Sequence, residues 1–156
     1  MNYSFFGTCS NDHNQLFGCL RTILNQTISP KEIILVNSGD SNIELEIGNM
    51  INQEKIKFVY LHKKLARVES LNLALDNSTA DYSFRFDTRT RFSKDYAEKA
   101  LKVLKDKNLK NSVVGGIPLA VSECNKFESK VCAEIMNSSY LFFFPKHRNL
   151  DYSGYA

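Results

Sequence analysis

The chain has no apolar run approaching the roughly 20 residues that a membrane-spanning helix needs. Its N-terminus, Met1-Asn-Tyr-Ser-Phe-Phe, also lacks a basic segment followed by a long apolar stretch, so no secretory leader is expected and the predicted compartment is the cytoplasm. Cysteine is sparse. The four residues Cys9, Cys19, Cys124 and Cys132 are too few for a disulfide scaffold and lack the close pairing of a zinc site, which leaves them as reduced, mostly structural thiols. A dominant charge is missing too: the net charge is +3, with basic residues scattered among acids, which argues against a nucleic-acid binder. Only Lys146-His-Arg148 forms a local basic cluster. With no repeat, linker or low-complexity segment, 156 residues that are 43% hydrophobic and 24% charged are expected to form one ordinary domain around a single core. Four glycosylation acceptor patterns, starting at Asn2, Asn25, Asn77 and Asn137, are coincidental in a chain without a leader.

What the chain does have is alternation. Short apolar runs bounded by turn-forming residues predict strands over Ser4 to Thr8, Glu32 to Asn37, Ile56 to Leu61, Tyr82 to Asp87 and Ser112 to Gly116. Helical stripes fill the gaps: Leu16, Leu20, Ile23 and Leu24; then Ile43, Ile47, Met50 and Ile51, opened by a capping-box pattern at Ser41 and Glu44; then Val68, Leu71 and Leu75. A helix from near Ser93 should bury Tyr96, Ala100, Val103 and Leu104, and another should use Phe127, Val131, Ile135 and Met136. Strands alternating with helices of this length predict an α/β fold with a mostly parallel sheet and helices on both faces. Beyond Asn137 the pattern breaks into apolar Tyr140-Leu-Phe-Phe-Phe144, and the chain stops without an obvious closing element.

Three of the predicted strands end in polar groups. Ser4-Phe-Phe-Gly-Thr8 leads into Cys9-Ser-Asn-Asp12, Glu32-Ile-Ile-Leu-Val36 into Asn37-Ser-Gly-Asp40, and Tyr82-Ser-Phe-Arg-Phe-Asp87 into Thr88-Arg-Thr-Arg91. An open α/β sheet binds its ligands at that edge. Each feature has a plainer reading as well. An Asp after a strand often serves as a turn residue or helix cap, Asn11 and Asp12 can cap the next helix, and Arg89 and Arg91 can form a solvated loop face. His13, His62 and His147 share no helical or paired spacing and read as surface residues, while Gly115-Gly116 can serve only to bend a strand.

The order of the motifs is specific. Thr8-Cys-Ser-Asn11, Cys19-Leu-Arg-Thr-Ile-Leu-Asn-Gln-Thr27 and Glu32-Ile-Ile-Leu-Val-Asn-Ser-Gly-Asp-Ser41 are followed by Arg67-Val-Glu-Ser-Leu-Asn-Leu-Ala-Leu75 and Ala80-Asp-Tyr-Ser-Phe-Arg-Phe-Asp87. Together they resemble the family 2 glycosyltransferases, nucleotide-sugar enzymes with the GT-A fold, a Rossmann-like three-layer sandwich. The continuation through Arg91-Phe-Ser-Lys-Asp-Tyr96 and Val114-Gly-Gly116 resembles the subgroup that builds succinoglycan-like polysaccharides. The resemblance implies that Thr8, Cys9, Ser10, Asn11, Asn37 and Ser38 surround the base and ribose of a uridine-type nucleotide. Arg67 would lie beside the base, and Asp87 near the ribose and a diphosphate-bound Mg²⁺ or Mn²⁺. It further implies a UDP-sugar donor, a polysaccharide or lipid-linked acceptor, inverting transfer and peripheral membrane association.

Two positions depart from the resembled pattern. Asn37 stands where the family usually has Asp, keeping a hydrogen-bonding side chain without the charge. In Asp87-Thr-Arg89 a cation replaces the second acid of the family's Asp-x-Asp motif, and arginine, a donor without a free lone pair, cannot ligate a metal. Asp87 is then the one metal ligand left, or Arg89 and Arg91 contact phosphate directly. The family's general base lies beyond the Gly-rich segment, so residues 1–156 are expected to form a single nucleotide-sugar-binding domain lacking the acceptor-binding part. The catalytic residue is unassigned, with Asp151 and Glu123 the first to consider. Two other classes compete: a non-catalytic nucleotide-binding or interaction module derived from such an enzyme, and a phosphoacceptor receiver domain. The last would place its Asp after the third strand, whereas Asp87 follows the fourth.

Overall fold

The two most apolar strand candidates become the two central strands, because only there are both faces of a strand covered. The computed structural model describes residues 2–51, 56–106, 113–116, 118–122 and 124–138, divided between two compact units, Met1–Ser112 and Val113–Ala156. The first unit runs β1 (Tyr3–Cys9), α1 (His13–Leu24), β2 (Glu32–Asn37), α2 (Glu44–Ile51), β3 (Lys57–His62), α3 (Arg67–Asp76), β4 (Tyr82–Asp87) and α4 (Tyr96–Asp106). The four strands form an all-parallel sheet in the order β3-β2-β1-β4. Thus β1 to β3 are laid down in one direction, and the connection through α3 carries the chain back across β2 and β1 to add β4 on the far side.

Strand alternation divides the core in two. Phe6, Ile34 and Val36 point to the side where Ala74 of α3 packs, with Val59, Leu61, Leu71 and Leu73 around them. On the opposite side Phe5 meets Phe84 and Phe92, with ring centroids 5.6 and 5.1 Å apart, and Tyr96 closes on Phe92 at 4.9 Å. Helix α1 buries Leu16, Cys19, Leu20 and Ile23. The buried amide of Gln26 ties its end to α4, donating to the carbonyls of Thr22 and Ser93 and accepting the Ala97 N–H. Each large aliphatic side chain removed from water in this way contributes about 1.5–3 kcal/mol. A carboxylate, Glu32, opens β2 fully buried because it accepts from Thr79 N–H, Thr79 Oγ1 and Lys57 Nζ. Burial pushes its carboxyl up, and these donors more than reverse the effect.

Several expectations need correction. Residues 113–116 form no strand, and Ser112 lies outside the described residues. Asn42, not Ser41, caps α2, its Oδ1 accepting the Glu44 N–H at 3.0 Å. In α3 the buried residues are Ser70 and Ala74, whereas Val68 is 69% exposed and Leu75 is also exposed. Ser70 and Ala74 meet the sheet directly, and Leu71 packs part-buried at the edge of the same cluster. In α4, Ala97 and Leu101 join Ala100 and Leu104 inside, and Val103 turns outward. In the second unit α5 (Phe127–Asn137) has no buried residue, and the stripe of Phe127, Val131, Ile135 and Met136 is exposed. Among its described residues the Asn137 side chain donates to the Ala120 carbonyl and accepts its N–H, and Ser122 bonds Ser129. Cys9 and Cys19 are buried, and Cys124 and Cys132 are exposed.

Candidate functional site

Parallel register brings the polar strand ends to one edge: Cys9 pairs with Asn37, and Thr8 with Asp87. Between β1 and β4 the direction of strand addition reverses, which opens a crevice at the carboxyl ends of these strands. Three loops form its rim and are bonded to one another. Ser38 N–H donates to the Cys9 carbonyl at 2.9 Å, and the Asp40 N–H to Asn11 Oδ1 at 3.3 Å. The loops approach so closely that a Cβ on Gly39 would lie 2.4 Å from the Ser10 carbonyl oxygen, so glycine is required there. Ser38 also shares a hydrogen bond with Ser70 of α3 at 2.9 Å.

Asn37 is fully buried and uses its amide within the rim. Nδ2 donates to the Ser41 carbonyl and to Tyr60 Oη, at 2.7 and 2.8 Å, while Oδ1 accepts the Gly39 N–H. An aspartate would present an oxygen to the Ser41 carbonyl, which gives a physical reason for Asn where the resembled pattern has Asp. Cys9 is buried beneath the rim, and burial, with the nearby Asp12 charge, pushes its thiol up to about 12. It offers the site backbone groups rather than a nucleophile.

Asp12 occupies the N-cap position of α1 but makes no capping bond. Its carboxylate accepts the Thr88 hydroxyl and, at 3.1 Å, the Ser10 N–H, linking the loop after β1 to the turn after β4. Burial pushes its carboxyl up, but the Thr88 hydroxyl, the N–H groups of Ser10 and Asp12, and the Arg89 charge hold it below its ordinary value. Arg91 supports the same junction from beneath. Its Nη1 donates to the carbonyls of Gln15, Thr88 and Thr90, and a Cβ on Gly18 would lie 2.4 Å from its Nη2.

Asp87 lies at the centre of a cluster of arginines. Its Oδ1 accepts from Arg67 Nη2 at 2.7 Å, and Arg85 Nη2 reaches both oxygens, at 3.2 and 3.1 Å. The strand pleat puts Arg85 and Asp87 on the same face of β4 as Phe6 and Thr8 of β1. That is the α3 side, where the helix packs on β1 and β2, so the β4 end is left open and Arg67, in the first turn of α3, reaches across. The side chains of Arg67, Arg85 and Asp87 remain 67%, 50% and 47% exposed. Ion pairs this exposed contribute only about 0.2–1 kcal/mol each. Arg89 follows in a turn closed by the Thr90 N–H on the Asp87 carbonyl, at 2.9 Å, and its side chain is exposed.

The structure therefore gathers Thr8, Cys9, Ser10, Asn11, Asn37, Ser38, Arg67 and Asp87 at one edge, with Arg89 beside them and Arg91 below. It adds Asp12, Thr88, Tyr60 and Arg85, which the motifs did not single out. The signal for Arg85 was in the sequence, since it stands two residues before Asp87 in a strand. His13, expected at the surface, is half-buried with Nε2 unpartnered, and the exposed His62 donates to the Gly39 carbonyl at 2.9 Å. His147, Glu123 and Asp151 lie outside the described residues.

The family model for glycosyl transferase family 2 matches residues 8–154. The chain belongs to that family. Over 93 residues, 59% of the chain, it is 28% identical to glycosyltransferase GlyA of Streptococcus pneumoniae serotype 4, covering 13% of that protein. The fold is GT-A. TarS 1–349 of S. aureus, solved in complex with UDP, superposes with a TM-score of 0.60 at 15% identity over 79% of this chain and 40% of that one. The mannosyltransferase PcManGT from Pyrobaculum calidifontis, in complex with GDP-Man and Mn²⁺, gives 0.57 at 17% identity over 66% of this chain and 32% of that one. The chain thus spans less than half the length of each of these relatives. Among the described residues no helix is long and apolar enough to cross a membrane, and no three His, Cys, Asp or Glu side chains are grouped to hold a metal ion.

Proposed function

We propose that this family 2 chain binds a nucleotide-sugar, a UDP-sugar in particular, at the carboxyl edge of the sheet, for inverting transfer of the sugar to a glycan or lipid-linked acceptor. The observation that carries the reading is the convergence of Thr8 to Asn11, Asn37, Ser38, Arg67 and Asp87 on one rim of a family 2 fold. Backbone groups of the loops after β1 and β2 are suited to a planar base. The arginines around Asp87 supply positive charge where a diphosphate would leave. TarS in complex with UDP supports a uridine nucleotide. The order of motifs from Arg91 to Tyr96 and at Val114 to Gly116 supports the succinoglycan-type subgroup, acting in the cytoplasm at a membrane periphery.

The resemblance also implies Mg²⁺ or Mn²⁺, and PcManGT was solved with Mn²⁺. The donor set here does not suit such an ion. Divalent cations of this kind take several oxygen ligands, whereas Asp87 has both oxygens paired with arginine and position 89 carries a cation. The same feature favours the second reading, a non-catalytic nucleotide-binding module of glycosyltransferase ancestry. Titration calorimetry of the chain with UDP, UDP-sugars and GDP-Man, with and without Mn²⁺, separates donor binding from its absence. Saturable heat with UDP or a UDP-sugar is expected, and no heat with any nucleotide under either condition would reject donor binding.

A further inference from the structure

Two guanidinium groups and one carboxylate meet at the end of β4, and a third arginine follows in the next turn. Arg67 comes from α3, Arg85 from the strand and Arg89 from the turn after it. Counting Arg67 and Arg85 as +2 and Asp87 as −1, the cluster carries +1, and Arg89 lies near a second acid, Asp12. Arg67 and Arg85 are aimed at a common point, because both donate to Asp87 Oδ1. Neither is committed to a buried partner, and their exposure leaves the ion pairs weak and exchangeable. A planar guanidinium fork matches the paired oxygens of a phosphate as well as those of a carboxylate, and a diphosphate brings more negative charge than Asp87.

We infer that Arg67 and Arg85, with Arg89 beside them, bind the diphosphate of the donor directly, by exchange with Asp87 and without a divalent cation. Asp87 is then the internal anion that holds the two guanidinium groups in position while the site is empty. This inference rests on the nucleotide-sugar reading and goes beyond it, since it gives the diphosphate to arginines rather than to a metal. The alternative arrangement would need Asp87 to release both arginines and turn to a cation, with Arg89 adding a positive charge two residues away.

The test compares uridine and UDP binding to the chain in EDTA and in MnCl₂, for the wild type and for Arg85→Gln, Arg67→Gln and Asp87→Asn, with circular dichroism as the check of folding. UDP should bind equally well in EDTA and in Mn²⁺, and more tightly than uridine. Arg85→Gln should weaken UDP binding about tenfold, the loss of one charged hydrogen-bonding group, and leave uridine binding unchanged. Asp87→Asn should keep or improve UDP binding in EDTA, because it removes the competing anion. UDP binding that is lost in EDTA, restored by Mn²⁺ and abolished by Asp87→Asn would overturn the inference while leaving the donor reading intact. Uridine binding with no gain from the diphosphate would also overturn it, and no binding of either compound would reject both.

Discussion

Asp12 shows how one carboxylate gains a role that its position in the chain does not announce. It sits where a helix cap belongs, yet it accepts the hydroxyl of Thr88, 76 residues away, and so joins the two loops that border the crevice. Its folded pKa lies below the value of about 3.9 expected in the unfolded chain. The stability it confers is therefore fully present above about pH 4 and is lost as pH falls through the lower folded value. Thr88→Val should cost about 1 kcal/mol at neutral pH. Urea unfolding across pH should show that difference narrowing as pH falls below about 4 and Asp12 becomes protonated in both proteins. A difference that stays constant down to pH 2 would place the hydroxyl's contribution elsewhere. Some of this detail was legible: Arg85 and Asp87 share a face by simple alternation. The link from Asp12 to Thr88 was not, because no local pattern connects the ends of two strands so far apart in sequence.

Among the elements, α3 departs most from its apolar pattern. Val68, Leu71 and Leu75 look like a helical stripe, but the helix turns Ser70 and Ala74 to the sheet and leaves Val68 in water. Two conditions select that face. Ser70 has a hydroxyl partner in Ser38, and Ala74 allows the helix axis to approach Phe6, Ile34 and Val36. Close approach is also what carries Arg67, at the first position of the helix, within reach of Asp87. Ala74→Leu should overpack this contact and cost about 1–3 kcal/mol, whereas Val68→Ala should change stability by less than about 0.5 kcal/mol. Chemical denaturation decides between the faces, and the reverse order of effects would restore the pattern-based one. Hydrophobic periodicity locates a helix well and ranks its faces by apolar content. It does not register that a small residue permits a closer contact than a large one.

For the whole molecule, burial divides the cysteines in a way that reports on unfolding. Cys9 and Cys19 lie in the core of the first unit, and burial above all pushes each thiol up to about 12. Cys124 and Cys132 of the second unit are exposed. A thiol reagent at pH 8 should modify the latter pair at once, and Cys9 and Cys19 only as fast as the first unit opens. Mass spectrometry of the labelled chain checks the assignment. Rapid native labelling of Cys19 would contradict the packing of α1 on the sheet.

The sequence by itself marked the order and nature of most elements, though the strand expected at 112–116 is not one in its described residues. It marked four strands whose ends the structure reproduces closely, the helices between them, and the polar residues that close β1, β2 and β4, because these depend on side-chain patterns spanning only a few residues. Motif order also pointed to family 2 and the GT-A fold. Only the tertiary structure decided the strand order β3-β2-β1-β4, which makes Thr8 and Asp87 neighbours, and the packing of α3, which brings Arg67 to Asp87. Those contacts join residues distant in sequence, and a local pattern carries no term for which loop crosses which strand. The charge balance around Asp87 belongs to the same class: each arginine is visible in the sequence, but their meeting on one carboxylate is set by where the sheet reverses direction.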